Sequence, residues 1–394
     1  MKPSRSLRIG IIVPAFPTYS ETFFVSLVKG LIERHHEVFI FCNSKNEDKL
    51  LLDVFNIEIR DKRFRIIELS KINVVFNALK SIVRYPFTSC VIIRRQKKWS
   101  ESLNTLFFNS HACDIYHFGF SGVAVRYSYL FGNFTGKKMI SCLGTAENIL
   151  PLTRPDRIEN LRSVLKKADK VHCISYAIQQ KVLNIISAPT FVNHPGIDIR
   201  FFAPSPQKKD NRKIRILSVG RLVFQKGFAI GFLAISQLAK RFKNFQWTIV
   251  GEGKEFEELS FYRQALGLQE HVILAGKKDR LELYELYDAA HIFFLPSISE
   301  GLANVVLEAM SMELALVTSD CGGMKEVVQH GINGLLSRSF DFKEMEELLF
   351  LLCENEALRL ALGKEARKSV SANFNVERYV EGFEKNYFEM LQTS

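Results

Sequence analysis

Short apolar runs alternate with segments of helical spacing along most of this chain, and no other feature limits its fold as strongly. The run from Arg8 to Pro14 predicts a β-strand, Glu21 to Glu33 places apolar residues at helical spacing, and Glu37 to Cys42 predicts the next strand. Strands that alternate with helices in this way are typical of parallel sheets with helices packed on their faces. The chain is therefore expected to have an α/β fold.

A polar segment interrupts this alternation near the middle of the chain. The run from Pro204 to Asn211 contains two prolines and no large apolar residue, which is typical of a linker. The 394 residues also exceed what one hydrophobic core usually organises. We predict a first domain over residues 1–203, a linker over 204–212, a second domain over 213–375, and a C-terminal helix over 376–394 that packs back towards the first domain.

Each domain is predicted to be doubly wound and Rossmann-like. In folds of this kind, ligands bind outside the carboxyl ends of the parallel strands. The two domains are expected to face a central cleft, and the ligand site is expected in that cleft.

The composition excludes several classes of protein. No stretch approaches the roughly 18 consecutive apolar residues of a membrane-spanning helix, and the run from Ile9 to Val13 is too short for a signal peptide. The seven cysteines are scattered and form no C-x-x-C pair, which favours buried thiols in a reducing compartment over disulfides or a metal site. A cytoplasmic protein is therefore expected.

Positive charge is concentrated in the first half of the chain. Residues 60–98 hold 11 lysines and arginines against two acidic residues, and apolar side chains such as Phe64, Phe76 and Phe87 lie among them. Cations mixed with apolar side chains favour an anionic membrane surface. Nucleic acid is the competing partner, but no recognised nucleic-acid motif accompanies the segment, so none is expected to bind. A merely solvated basic face is the third interpretation.

Four predicted strand ends of the second domain carry polar, charged or flexible residues. Arg221 and Lys226 follow the first of these strands, and Glu300 follows the third. Because the carboxyl ends of parallel strands lie at one edge of a sheet, these side chains are expected to converge. The four loops contain Gly220-Arg221-Leu222, Gly251-Glu252-Gly253, Ser299-Glu300-Gly301 and Cys321-Gly322-Gly323. The sequence has no G-x-x-x-x-G-K-[ST] motif, so a phosphate site here is not of the P-loop kind.

The segment from Glu300 to Glu308 places two carboxylates eight residues apart where a strand gives way to a helix. The run from His291 to Leu295 predicts the strand, and the helix is expected to begin near Ala303. A helix start has unpaired N–H groups and a partial positive charge, so it attracts phosphate. With a carboxylate on either side to accept hydroxyl hydrogen bonds, the segment suits a sugar diphosphate. The alternative is one surface glutamate and one glutamate on a solvated helix face.

Together these motifs resemble the C-terminal half of glycosyltransferase family 4. The match covers roughly residues 214–340 and includes the four loops and Gly331-Ile332-Asn333-Gly334. Ahead of it, Asn193-His194-Pro195-Gly196-Ile197-Asp198 with Phe201 also resembles the family's segment before the interdomain linker. The N-terminal half is similar more loosely, because Phe16-Pro17-Thr18-Tyr19-Ser20-Glu21-Thr22-Phe23 looks like the first loop of members that build exopolysaccharide. The resemblance implies the GT-B fold and transfer of a sugar from a nucleotide diphosphate with retention of anomeric configuration.

The resemblance also implies a role for each matched residue. Glu300 is the implied catalytic residue, which contacts the donor sugar, and Glu308 the implied ribose-binding residue. The residues implied for the donor diphosphate are Arg221, Lys226, Gly301, Leu302, Ala303 and Asn304. Those implied for the nucleotide pocket are Gly220, Gly251, Gly276, Lys277 and Val305, and those on the acceptor side are Ser20, Glu21, His117, Gly144 and Glu147. No metal or other cofactor is expected, because two cations and a helix start stabilise a leaving diphosphate.

One position departs from the family pattern. Many members have His or Arg immediately before the glycine of the loop from Ser141 to Glu147, and this chain has Leu143 there. Either backbone groups serve in place of that His or Arg side chain, or another residue such as His117 or Glu147 compensates for its loss. Because His117 follows a strand-like run, it is also a candidate for an ordinary core histidine.

The expected function is that of a cytoplasmic, peripherally membrane-associated glycosyltransferase in bacterial polysaccharide synthesis. Its expected partners are a nucleotide-sugar donor, a saccharide or lipid-linked saccharide acceptor, and an anionic membrane surface. Two alternatives stay open, namely a non-catalytic sugar-nucleotide-binding protein and a nucleotide-sugar epimerase of similar architecture.

Overall fold

The chain folds into two compact units. The computed structural model describes residues 5–18, 21–45, 62–84, 89–90, 92–93, 98–154, 156–206 and 212–392. The first unit comprises Met1–Ile174, Ile178–His194 and Val376–Ser394, and the second comprises Ser175–Ala177 and Pro195–Asn375. Each unit is built on one parallel sheet, so the predicted α/β fold with two doubly wound sheets is confirmed.

The first unit has a parallel sheet in the order β3-β2-β1-β4-β5-β6-β7. The strand order reverses between β1 and β4, which is the arrangement of a doubly wound Rossmann-like sheet. The described strands are β1 (Arg8–Phe16), β2 (Glu37–Lys45), β3 (Phe64–Glu68), β4 (Ile115–Phe118), β5 (Lys137–Cys142), β6 (Lys170–Cys173) and β7 (Thr190–Val192).

Helices follow most of these strands and cover the sheet. Helix α1 buries Phe24, Leu27, Val28 and Leu31, whose spacing places them on one face against the sheet. The described α-helices that lie between β1 and β7 in the sequence are α1 (Thr22–Glu33), α2 (Lys71–Arg84), α3 (Trp99–Ser110), α4 (Ser121–Arg126), α5 (Thr145–Asn148), α6 (Leu150–Thr153), α7 (Asp156–Leu165) and α8 (Tyr176–Ile185).

The basic segment of residues 60–98 is described only in part. Its described portion includes β3 and α2, and Ala78 of α2 packs with Leu106 of α3 and with Ile92 in one small core. Residues 94–97, which hold three of its eleven cations, lie outside the described part. In the portion of the chain that the structure describes, no helix is both long enough and apolar enough to cross a membrane.

The second unit has a parallel sheet in the order β10-β9-β8-β11-β12-β13, which again reverses beside its first strand. The described strands are β8 (Ile214–Val219), β9 (Phe245–Val250), β10 (Val272–Leu274), β11 (Ile292–Leu295), β12 (Ala315–Ser319) and β13 (Leu335–Ser337). The helices around it are α9 (Phe228–Arg241), α10 (Phe256–Ala265), α11 (Arg280–Ala289), α12 (Asn304–Ser311), α13 (Phe342–Glu354) and α14 (Glu356–Asn373).

The last helix, α15 (Val376–Gln392), packs within the first unit. Val380, Phe383 and Tyr387 are buried in the same core as the apolar face of α1. The contact is close at Gly30 of α1, where a β-carbon would lie 2.4 Å from a methyl group of Val380. A side chain at that position would therefore push the two helices apart.

Residues 195–203, which the sequence pattern assigns to the first domain, pack with the second unit. Ile197 N donates to Phe374 O at 3.0 Å. Phe202 is buried, with its ring centroid 5.8 Å from that of Tyr287. The apolar side chains of this segment therefore contribute to the second core before the polar linker residues begin.

Candidate active site

The first and second strand-end loops of the second unit pack directly against each other. Gly220 N donates to Val250 O at 2.9 Å, and Leu222 N donates to Glu252 O at 2.8 Å. Gly251 has a φ of 143°, and a β-carbon there would lie 1.9 Å from Gly220 O. Only glycine accepts this backbone conformation at this distance. The approach of the two loops therefore requires glycine at position 251.

The third loop joins the first in the same way. Gly227, which opens α9, has a φ of 64°, and a β-carbon there would lie 2.0 Å from Pro296 O. Ile298 N donates to Gln225 O at 2.8 Å. These contacts hold the first loop beside the loop that leads to Glu300.

The fourth loop lies against the third. A β-carbon at Gly322 would lie 1.9 Å from Glu300 O, and Gly323 N donates to Gly301 O at 3.0 Å. All four loops therefore form one continuous edge at the carboxyl ends of the strands. We call this edge, formed by residues 220–227, 251–253, 296–304 and 321–323, the strand-end edge.

Lys226 and Glu300 form an ion pair on the strand-end edge. Lys226 Nζ lies 2.7 Å from Glu300 Oε1, and Ser297 Oγ donates to the same oxygen at 2.7 Å. The side chains of Lys226 and Glu300 are only 15% and 12% exposed, so water screens the pair weakly. The resemblance assigns these two residues to different parts of the ligand. In this structure they contact each other, and an entering phosphate would compete with Glu300 for Lys226.

Arg221 and the start of α12 complete the strand-end edge. The side chain of Arg221 is exposed. Helix α12 begins at Asn304 after Ala303 and has no side-chain cap, and a helix start of this kind attracts an anion through its N–H groups and partial positive charge. Leu302 and Ala303 are buried, whereas Asn304 and Val305 are partly exposed. Positive charge and helix N–H groups therefore occur together at this edge.

The predicted nucleotide-pocket residues Gly276 and Lys277 lie beside the second loop. Gly251 N donates to Gly276 O at 2.9 Å, and Gly276 has a φ of 67°. Lys277 is exposed immediately after it. The structure thus brings these two residues to the same edge of the sheet as Gly220.

Glu308 belongs to a second cluster in the same unit. It lies on α12, is 8% exposed, and accepts a hydrogen bond from the Tyr287 hydroxyl on Oε2 at 2.9 Å. Burial raises the pKa of Glu308 to about 7, and the Tyr287 hydrogen bond and the charge of Arg280 oppose this shift. The acid therefore exchanges its proton near neutral pH.

Three residues of the Glu308 cluster were missed as site residues by the sequence pattern. Besides Tyr287, they are Arg280 and Asp198, whose guanidinium and carboxylate lie 3.6 Å apart. The Arg280 guanidinium also lies 3.8 Å from the ring centroid of Phe201, and burial lowers its pKa. The motif segment that ends in Asp198 and Phe201 was a usable signal, because both residues belong to this cluster.

Glu21 is a predicted acceptor-side residue that lies at the start of α1. Ser20 falls outside the described residues. Glu21 precedes α1 and is partly buried, and its backbone N–H donates to Thr18 O at 3.2 Å. These contacts leave the acceptor role of Glu21 a prediction.

His117 lies in the core of the first unit. It is fully buried, Nδ1 lies 2.8 Å from the Tyr387 hydroxyl, and Nε2 lies 2.7 Å from Ser141 Oγ. Burial lowers the pKa of His117 to about 3, so the ring is neutral. Because both nitrogens bond to protein groups, His117 does not compensate for Leu143 by contacting a ligand in this structure.

Glu147 bonds to its own loop. Its carboxylate is buried and accepts from Ser121 Oγ on Oε1 at 2.5 Å and from Gly144 N on Oε2 at 2.9 Å. Gly144 has a φ of 130°, and Leu143 packs against the core of the first unit. Neither the Glu147 carboxylate nor the Gly144 N–H is therefore open to replace the His or Arg of the family pattern.

The described residues contain no group of three or more His, Cys, Asp or Glu side chains that could hold a metal ion. The cysteines are free thiols, and all except Cys90 are buried. Burial raises the pKa of Cys113 and Cys321 to about 12, which keeps these thiols protonated.

Comparison with known proteins places these features in a family. Residues 200–369 match the model of the family described as glycosyl transferases group 1. This range contains the whole strand-end edge and, apart from Asp198, the whole Glu308 cluster. The resemblance to glycosyltransferase family 4 predicted from the motifs is confirmed.

Curated relatives match over different shares of the chain. An uncharacterized glycosyltransferase from Haemophilus influenzae is 31% identical over 250 residues, which cover 63% of this chain and 65% of the relative. This alignment thus spans less than two thirds of the relative's length. The putative colanic acid biosynthesis glycosyltransferase WcaL from Escherichia coli is 23% identical over 404 residues, which cover 94% of this chain and 96% of the relative.

A solved structure shares the fold of the chain. The crystal structure of HepE from Anabaena in complex with UDP and glucose superposes with a TM-score of 0.74 and 18% identity, covering 97% of this chain and 100% of that one. At this identity the likeness shows the fold alone. The chain therefore has the GT-B fold, and over residues 200–369 it is similar to the glycosyl transferases group 1 family.

Proposed function

We propose that this protein is a retaining glycosyltransferase that moves a sugar from a nucleotide-diphosphate donor to a saccharide acceptor in bacterial polysaccharide biosynthesis. The strand-end edge carries this proposal, because Arg221, the Lys226–Glu300 pair and the start of α12 meet there. The same residues fall within the range that matches the glycosyl transferases group 1 family. The relative WcaL, which aligns over most of this chain, is named for colanic acid biosynthesis.

The chemistry of the strand-end edge suits a diphosphate leaving group. Departure of a nucleoside diphosphate leaves negative charge on its terminal phosphate, and fixed positive groups stabilise that charge. Arg221, Lys226 and the first N–H groups of α12 supply such groups in one place. In this proposal they serve without a metal or another cofactor. Glu300 contacts hydroxyls of the donor sugar, and Glu308 accepts hydrogen bonds from the ribose.

Sugar transfer to lipid extract is the experiment that tests the proposal. The purified protein is incubated with radiolabelled UDP-glucose, GDP-mannose and related sugar nucleotides, with and without lipid extract. Uridine nucleotides come first, because the HepE structure holds UDP. Label that enters the lipid fraction only with extract supports the proposal, and an NMR assignment of the product's anomeric carbon tests retention.

Two other outcomes of this assay would replace the proposal. Conversion of the donor to its epimer without acceptor would indicate an epimerase. Tight binding of a donor without any turnover would indicate a non-catalytic sugar-nucleotide-binding protein, the alternative suggested by Leu143. The Lys226→Ala variant should transfer no label and serves as the control.

We further propose that the acceptor is lipid-linked and that α2 rests on the cytoplasmic face of the membrane. One face of α2 packs against α3, yet the opposite face exposes Val75, Phe76, Leu79 and Val83 by 41%, 57%, 54% and 84%. These positions fall within one third of the helix circumference. The Lys80 ammonium lies 4.3 Å from the Phe76 ring centroid. Apolar side chains beside a cation favour an anionic lipid surface over water.

Vesicle co-sedimentation tests this orientation. Vesicles that contain anionic lipid should co-sediment the protein, neutral vesicles should not, and raised salt should weaken the binding because exposed charges are screened over about 10 Å at 0.1 M. The triple variant Phe76→Ser, Leu79→Ser and Val83→Ser should lose at least tenfold in vesicle affinity. The matched control is Phe261→Ser, which removes a 67% exposed phenylalanine from α10 of the second unit. Equal loss in both would contradict a specific role for α2.

A further inference from the structure

Tyr287 and Glu308 form a buried phenol–acid pair in the second unit. Tyr287 lies on α11 and is fully buried. Its hydroxyl lies 2.9 Å from Glu308 Oε2 and 3.2 Å from Val305 O. A phenol has one proton, so it donates a full hydrogen bond to only one of these two acceptors at a time. The protonation state of Glu308 decides which acceptor receives it.

Two arrangements keep the Tyr287 hydroxyl and Glu308 Oε2 hydrogen-bonded to each other. When Glu308 is a carboxylate, Tyr287 donates to Oε2. When Glu308 is protonated, its acid O–H donates to the tyrosine oxygen, and Tyr287 donates to Val305 O. The pair can therefore gain or lose a proton while the Tyr287–Oε2 hydrogen bond is kept, and loss of a buried hydrogen bond is costly.

The charged groups nearest to the Glu308 cluster lie on α11, in the segment that contains Asp198, and on α14. Arg280, on the same helix as Tyr287, favours the carboxylate, and Asp198 lies 3.6 Å from its guanidinium. On α14, which packs against α12, Arg367 donates to Phe202 O at 3.2 Å and lies 3.7 Å from the carboxylate of Glu313. Strands β11 and β12 carry no titratable side chain. Arg280 is therefore the cation that faces the pair, while Arg367 has its own carboxylate partner.

Glu308 keeps one oxygen for a ligand. Oε2 accepts from Tyr287, and Oε1 has no hydrogen-bond partner among the residues that the structure describes. A carboxylate oxygen accepts two hydrogen bonds, which matches two vicinal hydroxyls. Fixing Oε2 also restricts rotation of the carboxylate, so the open oxygen has a defined place.

We propose that Tyr287 is a positioning residue. It holds the Glu308 carboxylate in place for the ribose of the donor nucleotide, and it couples donor binding to the release of a proton. This inference rests on the proposed function, because it takes Glu308 as the ribose-binding residue. When the donor binds, protonated Glu308 gives its proton to solvent, and the ribose hydroxyls donate to the carboxylate. The Tyr287 proton turns from Val305 O to Glu308 Oε2, and no covalent bond between heavy atoms changes.

The pH dependence of donor affinity tests this proposal. The probes are UDP-glucose, GDP-mannose and ADP-glucose, whose diphosphates are esterified at both ends and do not titrate between pH 5.5 and 9. For the probe that binds, the dissociation constant of the wild type should be constant above pH 8 and rise about tenfold per unit of pH below the Glu308 pKa. Calorimetry at pH 6 in two buffers of different ionisation enthalpy should detect the released proton.

Tyr287→Phe separates positioning from packing. The Tyr287 hydrogen bond lowers the pKa of Glu308, so the variant should shift the affinity profile to higher pH. Binding should be weak at pH 7 and recover at pH 9. The matched control is Tyr284→Phe on the same helix, because that hydroxyl donates to Ala203 O at 3.0 Å and not to Glu308. Tyr284→Phe should keep the wild-type profile.

Each remaining outcome has a separate meaning. A loss of affinity in Tyr287→Phe that is the same at every pH would show a packing role and overturn the proposal, as would an unchanged profile. Glu308→Gln should weaken binding and abolish the pH dependence. If Glu308→Gln leaves affinity and profile unchanged, or if none of the three probes binds the wild type, the proposed donor site itself is wrong.

Discussion

A buried hydrogen-bond chain in the first unit predicts that acid destabilises this unit steeply. Four hydrogen bonds link the Tyr387 hydroxyl, His117, Ser141 Oγ, His172 and Asn193 O in that order, and their lengths are 2.8, 2.7, 2.8 and 2.9 Å. Because the Asn193 carbonyl only accepts, His172 Nε2 must carry a proton. Ser141 then donates to His172, His117 donates to Ser141, and Tyr387 donates to His117. This order requires both histidines to be neutral.

The expected magnitude follows from the two pKa values. Burial lowers the pKa of His117 to about 3 and that of His172 to about 4, against about 6.5 in an unfolded chain. Below pH 6.5 the unfolded state therefore binds two protons that the folded state does not. The stabilisation is fully present above pH 6.5 and is lost as the pH falls towards 4. Between pH 8 and pH 5 the loss is about 4 kcal/mol.

Hydrogen exchange measured by mass spectrometry resolves the two units in one experiment. After correction for intrinsic exchange, peptides from β4, β5 and β6 should lose protection between pH 8 and pH 5, and peptides from β8 and β9 provide the internal comparison. His172→Asn should remove about half of the acid dependence. Tyr387→Phe should lower stability at pH 8 by about 1–3 kcal/mol and keep the dependence, because both histidines remain. If the double variant His117→Asn/His172→Asn shows the wild-type dependence, the reasoning is refuted.

Two further predictions concern the strand-end edge. Glu300→Gln should tighten nucleoside-diphosphate binding by up to about tenfold while turnover falls. The reason is that Lys226 loses a charge-assisted hydrogen-bond partner worth about 1.5–3 kcal/mol. Calorimetry that shows unchanged or weaker binding would contradict this prediction. Gly251→Ala should destabilise the second unit by more than about 3 kcal/mol, since its β-carbon would lie 1.9 Å from Gly220 O. Gly267 also has a positive φ but lies in open space, so Gly267→Ala should lower the free energy of unfolding by only about 1 kcal/mol. Equal melting temperatures of the two variants would argue against the steric explanation.

The strand-end edge was predictable because its residues lie in short motifs that each follow a strand. The topology of a parallel sheet brings those strand ends to one edge, so Arg221, Lys226 and Glu300 could be placed together from sequence order alone. The contact between Lys226 and Glu300 could not be predicted, because it depends on side-chain rotamers across 74 residues. The glycines are predicted as flexible turns, but their contacts with neighbouring loops arise only in the tertiary fold.

The residues that the sequence did not reveal act through packing. Tyr287 lies in an ordinary amphipathic helix, and only the fold brings its hydroxyl to Glu308, 21 residues later. His117 follows a strand-like run, where core and site positions look alike, and the fold places it in the core with α15. Strand β3 was missed for a different reason, since Arg65 and the neighbouring cations obscure its apolar residues.

The measurement that tests the central claim most directly is the affinity of nucleoside diphosphates for variants of the strand-end edge. The probe is UDP, or whichever nucleoside diphosphate binds the wild type. Arg221→Ala and Lys226→Ala should each raise its dissociation constant by at least about tenfold, because each variant removes a charge-assisted hydrogen bond worth about 1.5–3 kcal/mol. Lys364→Ala removes an exposed cation from α14 and should leave the affinity unchanged. Wild-type affinity in both Arg221→Ala and Lys226→Ala would show that the donor diphosphate does not bind at this edge.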